Sequence, residues 1–456
     1  MSPELISILA LVVAFVVTTT LSVNMGMLML AMAFLVGTAV AGLSTDQIFA
    51  GFPGDLFVVL VGVTYLFAIA RANGTIDWIV RGALRLVGGR IALIPWIMFT
   101  IGAVLTAVGA VSPAACAIVA PIAMSMAARY RINPLLMGAM VVHGTQAGSF
   151  SPISIYGTIV NGVVARAGLP ASPIVLFLGA LAVNVLIAGV VFVLFGGLRL
   201  ARSGSAAVTT SAAEPALSGV AAGARQSSTP SSTGGVELSS THPGVDEPAL
   251  GGETSQRLTG ERVATLLGLV ALVVATLGFE VNVGLAAVTV AVVLSVVSPG
   301  SARNAPSEVA WPTVLLISGV LTYVGVLKEM GTIDYAGAAV AGVGIPLVVA
   351  LLLCYVGGVV SAFASSVGIM GALIPLAVPF LQQGQIGAVG MITALAVAST
   401  VVDVSPFSTN GAIVLANASG FDRDALFRKL LVYGGVVVVA APVLSWLLFV
   451  VLPGLG

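Results

Sequence analysis

Charge is scarce in this sequence. Only 7% of its 456 residues are Asp, Glu, Lys or Arg, whereas 59% are hydrophobic, and the formal net charge is zero. A soluble domain needs a charged surface that this composition cannot supply. Its long uncharged runs indicate a polytopic membrane protein whose partner is the lipid bilayer, and we expect no nucleic-acid partner.

The sequence also has only two cysteines and two histidines, and it lacks a nucleotide-binding motif. The two cysteines, Cys116 and Cys354, lie in apolar runs without the C-x-x-C spacing of metal or redox sites. No Lys or Arg precedes Arg71, so the basic start of a cleaved signal peptide is absent and the first apolar run is predicted to span the membrane. The chain also lacks the G-x-x-x-x-G-K-[ST] motif that ATP-driven pumping would require.

One pattern occurs twice. Ser-Pro-x-Ser-x-x-Gly-x-Ile-Val begins at Ser151 and again at Ser405, 254 residues later, and the same offset pairs Ser112 with Ser366. Matching positions interrupted by Gly or Pro in two apolar halves are typical of transporter binding sites. We predict a first transmembrane repeat at 1–197 and a second at 263–456.

Residues 198–262 separate the two repeats. Their central part is rich in Ser, Thr, Gly, Ala and Pro and holds few large apolar side chains. Such a composition buries too little surface to fold, so we predict a disordered cytoplasmic linker.

Each half contains five apolar segments of spanning length and one longer apolar stretch with a polar kink. The kinked stretches, about 91–128 and 344–382, could each be two spans or one re-entrant hairpin. The fourth span of each half is predicted to be a broken helix. The ten segments lie near 5–20, 24–43, 56–73, 134–166, 173–197, 263–279, 282–298, 312–329, 384–418 and 427–452.

The basic residues favour hairpins over additional spans. With hairpins, 15 of the 17 Lys and Arg residues fall on one face, and only Arg166 and Lys328 fall on the other. Since basic residues accumulate on the cytoplasmic side, this threading is preferred. Five spans per half force opposite orientations, so the predicted fold is all-α, with two inverted-topology repeats in the cytoplasmic membrane, both termini outside and broken helices at the midplane.

The Ser-Pro pairs indicate helix starts inside the membrane. Ser112, Ser151 and Ser405 each combine a favoured N-cap with a following Pro, and Ser365 or Ser366 could cap a fourth helix. Four N-termini, each carrying about half a positive charge, together approach what a dicarboxylate requires. The pattern therefore predicts an anion site, with simple kinks in packed helices as the alternative.

No basic side chain lies in the middle of a predicted span, so co-bound cations must supply further positive charge. Hydroxyls and freed carbonyls at the breaks are suitable oxygen ligands. The candidate cation ligands are Ser112, Thr145, Gly148, Ser149 and Ser151 in one half, and Ser365, Ser366, Ser399, Thr400, Asp403 and Ser405 in the other.

Four further positions have more than one interpretation. Asp403 is the only acid predicted deep in the membrane, either as a cation ligand or protonatable group or as a local cap. His143 could contact a carboxylate, carry a proton or pack in a hydrogen-bonded core. Tyr156 and Asn410 occupy matching positions and either face the substrate or join helices.

The sequence resembles the MatC-type dicarboxylate (malonate) carriers of the ion transporter superfamily, which includes the divalent anion:sodium symporters. The resemblance rests on the repeat and on Asn24-Met-Gly-Met27, Gly51-Phe-Pro-Gly-Asp55 and Gly74-Thr-Ile-Asp77. In the symporters a Ser-Asn-Thr signature at each hairpin tip binds carboxylate and sodium. The matching tips here read Ser112-Pro-Ala114 and Ser365-Ser-Val367, so only the serines carry over. The resemblance also implies a homodimer whose transport domain moves as an elevator.

These observations predict a secondary transporter and not an enzyme, with no cofactor except Na⁺ as a possible coupling ion. The leading hypothesis is import of malonate or a C4-dicarboxylate such as succinate with Na⁺ or H⁺. A cation/proton antiporter or oxyanion exporter is the alternative, and an intramembrane hydrolase using His143 with Ser149 or Ser151 is remote because no acid completes that pairing. The predicted substrate-binding residues are Ser112, Pro113, Ala114, His143, Ser151, Ser154, Tyr156, Ser365, Ser366, Val367, Ser405, Ser408 and Asn410.

Overall fold

The structure is a computed structural model that describes residues 2–21, 23–85, 90–202, 258–333, 335, 345–362, 366–418 and 420–454. Within these ranges the regular structure is entirely helical. Helices suit the apolar runs because a helix satisfies its own backbone hydrogen bonds in lipid. The described parts of the two halves pack into one compact unit. Nearly all of the predicted linker lies outside the described residues.

The described part of the first half contains eleven α-helices. The stretch predicted to be a hairpin holds α6 and α7, and the span predicted to be a broken helix holds α8 and α9. The helices are α1 Pro3–Thr20, α2 Met25–Ala39, α3 Thr45–Ala50, α4 Gly54–Ala72, α5 Thr75–Arg85, α6 Ile94–Val108, α7 Ser112–Arg129, α8 Pro134–Gly148, α9 Ile155–Arg166, α10 Pro173–Leu194 and α11 Gly197–Arg202.

The second half repeats this order. Its hairpin is α16 and α17, whose connection lies partly outside the described residues, and its broken helix is α18 and α19. The helices are α12 Gly260–Gly278, α13 Val283–Val297, α14 Pro299–Ala302, α15 Trp311–Glu329, α16 Pro346–Ser361, α17 Ser366–Gln382, α18 Ala388–Val401, α19 Thr409–Ala416, α20 Arg423–Trp446 and α21 Leu452–Gly454.

Length and composition confirm an all-helical, multi-pass membrane protein. Among the described residues, 8 helical segments are long and apolar enough to cross a bilayer, and five shorter helices are also apolar. Two of the eight are the arms of the first hairpin. The ten-span count, the re-entrant hairpins and the inverted orientation stay predictions.

Two glycine crossings join the halves in a reciprocal way. α2 packs on α15, and α4 packs on α13. At the first crossing, a Cβ on Gly319 would lie 2.0 Å from the carbonyl oxygen of Gly26. At the second, a Cβ on Gly62 would lie 2.9 Å from the carbonyl oxygen of Gly284. The two crossings are equivalent. In each, the second predicted span of one repeat packs on the third predicted span of the other.

The hairpins and broken helices pack reciprocally as well. α19 of the second half lies against α7 of the first hairpin, and α9 of the first half lies against α17 of the second hairpin. The N-terminal turn of each hairpin's second arm is thereby brought close to a helix break. This packing is what assembles the candidate site.

Candidate functional site

The two helix breaks share one local geometry. In the first, α8 ends at Gly148 and α9 begins at Ile155, with Ser154 as its N-cap. The Ser154 hydroxyl accepts a hydrogen bond from Gly157 N at 3.3 Å and donates to the carbonyl of Ser151 at 2.7 Å. In the second break, Ser408 accepts from Gly411 N at 3.3 Å and donates to the carbonyl of Ser405 at 2.7 Å.

The repeated glycine is required by close approach. A Cβ on Gly157 would lie 2.1 Å from the carbonyl oxygen of Ser151, and a Cβ on Gly411 would lie 2.0 Å from that of Ser405. No side chain fits at such a distance without moving the backbone. The pattern Ser-Pro-x-Ser-x-x-Gly therefore encodes a turn, an N-cap and a glycine on which the turn packs.

The predicted caps are wrong in position. Ser151 and Ser405 precede their helices by several residues, and Pro152 and Pro406 lie in the turns before the helices begin. The hydroxyl of Ser151 donates instead to the carbonyl of Ala107 in the first hairpin. The second serine of each pattern outcompetes the first because its hydroxyl reaches the amide of the glycine three residues on.

Ser112 is not a cap either. It is the first residue of α7, Pro113 follows inside the helix, and the capping position is Val111, which makes no side-chain cap. Ser366 likewise opens α17. Ser365 lies outside the described residues. Both described serines are therefore free to turn their hydroxyls toward the neighbouring broken helices.

Asp403 is the centre of one buried polar group. Its side chain is only 6% exposed and accepts two hydrogen bonds, from Ser366 Oγ to Oδ1 at 2.6 Å and from Gln146 Nε2 to Oδ2 at 2.7 Å. Ser361 Oγ donates in turn to Ser366 Oγ at 2.8 Å. The group joins the second hairpin and its own break to α8 of the first half.

Ser112 is the centre of the second group. Asn410 Nδ2 donates to Ser112 Oγ at 2.9 Å, and Ser112 Oγ donates to Thr145 Oγ1 at 3.1 Å. Ser112 and Asn410 lie in the first turns of α7 and α19. The positive ends of these two helices therefore meet here. We call the two groups together the central cluster: Ser112, Thr145, Gln146, Ser361, Ser366, Asp403 and Asn410.

The central cluster has more acceptors than donors. The side-chain oxygens Gln146 Oε1 and Asn410 Oδ1 are buried and have no hydrogen-bond partner, although each amide nitrogen is used. Asp403 meets only neutral donors, and within the described ranges no ion pair joins it to a basic side chain. Unpaired buried acceptors are costly, so such a site is suited to a cation.

The remaining candidate cation ligands surround this cluster without contacting Asp403 through hydrogen bonds. The hydroxyls of Ser399 and Thr400 donate to carbonyls of their own helix, at 2.7 Å to Leu395 and 3.0 Å to Ala396. Ser149 similarly donates to the carbonyl of Thr145. Gly148 is required for packing against α6, because a Cβ there would lie 1.9 Å from the carbonyl oxygen of Ala103.

His143 has hydrogen-bond partners on both ring nitrogens. Nδ1 lies 3.1 Å from Asn184 Oδ1 in α10, and Nε2 lies 2.7 Å from the hydroxyl of Tyr433 in α20. The imidazole is fully buried. This arrangement favours the packing interpretation over contact with a substrate carboxylate.

Three other predicted substrate residues make none of the hydrogen bonds of the central cluster. Tyr156 is buried, and its ring packs edge-on against Phe150 at a centroid distance of 5.8 Å. Val367 is buried one residue after Ser366. Ala114 is exposed next to the first hairpin turn.

Sequence reasoning missed Gln146 and Ser361. Gln146 matches Thr400 in the other half and therefore has no chemical counterpart in the repeat. The available signal was an amide side chain within an apolar span, because polar groups there are costly and need a partner. Ser361 was overlooked because it lies before the kink and not in it.

Broken helices at matching positions of two apolar halves are features of transport proteins built from internal repeats. The comparisons agree. Residues 1–149 match the family model described as dicarboxylate carrier protein MatC N-terminus, which confirms the resemblance over that third of the chain. No curated protein matches the chain.

Among solved structures, the YdaH transporter of Alcanivorax borkumensis, described as having an unusual topology, superposes with a TM-score of 0.59. The two sequences are 14% identical, and the match covers 98% of each chain. This likeness shows the fold alone. Together, the family match over residues 1–149 and this fold indicate a membrane transport protein and not an enzyme.

Proposed function

We propose that the chain is a secondary carrier that imports a small dicarboxylate, malonate or a C4-dicarboxylate such as succinate, together with a cation. The observation that carries this proposal is the acceptor-rich central cluster around Asp403. The description of the matching family, a dicarboxylate carrier, supports the substrate class.

Charge balance explains why a cation is needed. A dicarboxylate and an ionised Asp403 would together bring three negative charges into a site whose described neighbours include no basic side chain. Helix N-termini contribute only about half a charge each. A cation held by Asp403 and the free amide oxygens of Gln146 and Asn410 would offset much of the remainder. Na⁺ suits such an oxygen set, and a proton on Asp403 would serve the same purpose.

In this proposal the substrate binds at the part of the central cluster formed by Ser112 and Asn410. The N-terminal ends of α7 and α19, where helix dipoles favour an anion, meet beside Ser112 and Asn410. Ser366 at the start of α17 provides a further hydroxyl beside Asp403. Carboxylate and cation would therefore share Asp403's neighbours, so that each improves binding of the other.

The reciprocal packing of the halves supports the predicted inverted repeats, and the broken helices support alternating access to one central site. Within this proposal, Arg166 and Lys328 lie at the outer face and the remaining basic groups at the cytoplasmic face. The elevator motion and the homodimer are implied by the family resemblance and stay predictions.

The experiment is uptake of radiolabelled malonate and succinate into proteoliposomes, with an inward Na⁺ gradient compared with a proton gradient at matched membrane potential. We expect uptake to follow one gradient and to be lost in Asp403→Asn and Ser366→Ala. Asp424→Asn, which changes an exposed acid at the start of α20, is the matched control. A folded protein that takes up neither substrate under either gradient would overturn the proposal in favour of an exporter of another ion.

A further inference from the structure

A second polar region lies at one end of the molecule, away from the central cluster. A cavity of about 700 Å³ opens there between α3, α4, α9, α15 and α17. Two basic side chains line it, Arg166 at the end of α9 and Lys328 at the end of α15, together with the acids Asp55 and Glu329. We call this cavity the entry chamber.

The repeat has a counterpart of this cavity that is nearly closed. A second cavity, of about 80 Å³, is lined by residues of α4 and the start of α5. They match chamber residues in and just after α15 at an offset of 257: Thr64, Phe67, Ala68, Arg71 and Ile76 correspond to Leu321, Val324, Gly325, Lys328 and Ile333. The first hairpin turn, at Gly109 to Val111, also lines the smaller cavity. In this conformation the cavity beside Arg166 and Lys328 is therefore open, and its counterpart in the other repeat is nearly closed.

Two helices connect the entry chamber to the central cluster. α17 begins at Ser366 in the central cluster, and its last turns line the chamber at Pro379 and Gln382. α9 begins at the first break and ends in the chamber at Arg166, a helix length of about 18 Å. A solute in the chamber thus lies at the far end of α17, whose first residue belongs to the central cluster, and at the far end of α9, which begins at the first break.

We propose that the entry chamber is a peripheral binding site for the dicarboxylate, in which Arg166 and Lys328 engage the two carboxylates before the dianion reaches the central cluster. This inference rests on the proposed function. The chamber is within the volume range of small-molecule pockets. Arginine binds carboxylates through paired N–H donors, and lysine adds a second positive charge.

Asp55 competes with the substrate for Arg166 and so keeps dicarboxylate binding in the chamber weak and reversible. Arg166 forms an ion pair with Asp55, and the two side chains are 35% and 54% exposed. Ion pairs this exposed contribute about 0–1 kcal/mol, so a substrate carboxylate can replace Asp55 at small cost. Within the described ranges Lys328 forms no ion pair. A dianion can contact both Arg166 and Lys328, so it competes with Asp55 better than a monocarboxylate does. The chamber therefore favours dicarboxylates over monocarboxylates.

The first test does not depend on transport. Val378→Cys places a thiol in the chamber wall, while the native Cys116 and Cys354 are buried. In proteoliposomes we expect an anionic, membrane-impermeant methanethiosulfonate to label this thiol faster than a cationic one. Arg166→Gln and Lys328→Gln should each lower the ratio of the two rates about threefold or more, and Asp55→Asn should raise it. High salt should remove the differences.

The second test is initial dicarboxylate uptake against concentration. Arg166→Gln and Lys328→Gln should raise KM roughly three- to tenfold at low salt and leave kcat within about twofold, since the chamber concentrates substrate without taking part in the central step. Arg303→Gln, an exposed arginine outside the chamber, is the matched control and should leave KM unchanged.

The outcomes separate this inference from the proposed function. Equal labelling rates for the two reagents in the parent protein, or an unchanged KM in both chamber variants, would overturn the chamber. Charge-selective labelling without any dicarboxylate uptake would instead overturn the proposed function and support the chamber as the entry for another anion. Size-exclusion profiles matching the parent protein verify that the variants fold.

Discussion

The first and second helix breaks share a cap and a turn but differ in their chemistry. Both use a serine N-cap, a glycine three residues later and a turn that packs on this glycine. At the position where the second break carries Asp403, the first carries Ser149, whose hydroxyl bonds only to its own helix. Duplication thus supplied the frame twice, and divergence of a few polar positions gave one break a negative charge.

Removing that charge should have the largest effect. We expect Asp403→Asn to weaken cation binding roughly 100-fold, because interactions with a charged group contribute about 2–3 kcal/mol. Ser149→Ala at the matching position should change it less than about threefold. Calorimetric titration of the purified variants with the coupling cation measures both affinities. Equal losses in the two variants would show that the breaks are chemically equivalent.

Moving the charge sharpens the same comparison. The double variant Ser149→Asp with Asp403→Ser transfers the acid to the first break, where Thr145 offers a carbonyl and not a donor. We expect it to remain inactive, since Gln146 and Ser366 are placed to donate to position 403. Recovery of cation-dependent uptake would contradict the importance of these two donors.

Filling the shared glycine positions should disturb both breaks equally. Gly157→Ala and Gly411→Ala each force a methyl group against a carbonyl oxygen, with a cost of about 1–3 kcal/mol. Thermal unfolding in detergent should show a lower Tm for both. Gly189→Ala in α10 is the control, because a Cβ there meets nothing within 4 Å. A fall in Tm for only one of the two would indicate that the breaks differ in backbone as well.

Gln146 tests the contact between the halves. Gln146→Leu removes the donor to Asp403 and a free amide oxygen, so we expect cation affinity to fall about 5- to 30-fold, or 1–2 kcal/mol. Thr400→Val, at the matching position, removes a hydroxyl that bonds only to its own helix and should have little effect. A titration of uptake with the coupling cation distinguishes them. The reverse order of effects would place the cation at Thr400.

The smallest expected effect concerns the caps. Ser154→Ala and Ser408→Ala each lose an N-cap, which contributes about 1 kcal/mol to stability. Both should lower Tm by a similar small amount in the same detergent. Ser151→Ala removes no N-cap and should lower Tm less. A larger fall for Ser151→Ala would restore the cap position that the sequence had predicted.

The sequence predicted the frame well, for physical reasons. Uncharged runs of fixed length report helices in lipid, and the 254-residue offset located the two interruptions at Ser151 and Ser405, where the structure has breaks between helices. It misplaced the caps because Ser-Pro and the later serine both satisfy capping preferences, and only the packing of Gly157 and Gly411 decides between them.

Contacts between the halves could not be predicted in the same way. Gln146 meets Asp403 across 257 positions, and Asn410 meets Ser112 across 298. Neither pair shares a motif or a periodicity, and neither spans the 254 residues that relate the two breaks. The glycine crossings of Gly26 with Gly319 and of Gly62 with Gly284 are likewise visible only in the folded chain.

The most direct test of the central claim is binding of malonate to the purified protein, measured by calorimetry with and without the coupling cation. If Asp403 holds a cation beside the dicarboxylate, the cation should raise malonate affinity at least about tenfold, and malonate should raise cation affinity by the same factor. Asp403→Asn should lose this linkage. Malonate affinity that is the same with and without Na⁺ and across pH, or a linkage that survives in Asp403→Asn, would contradict the account.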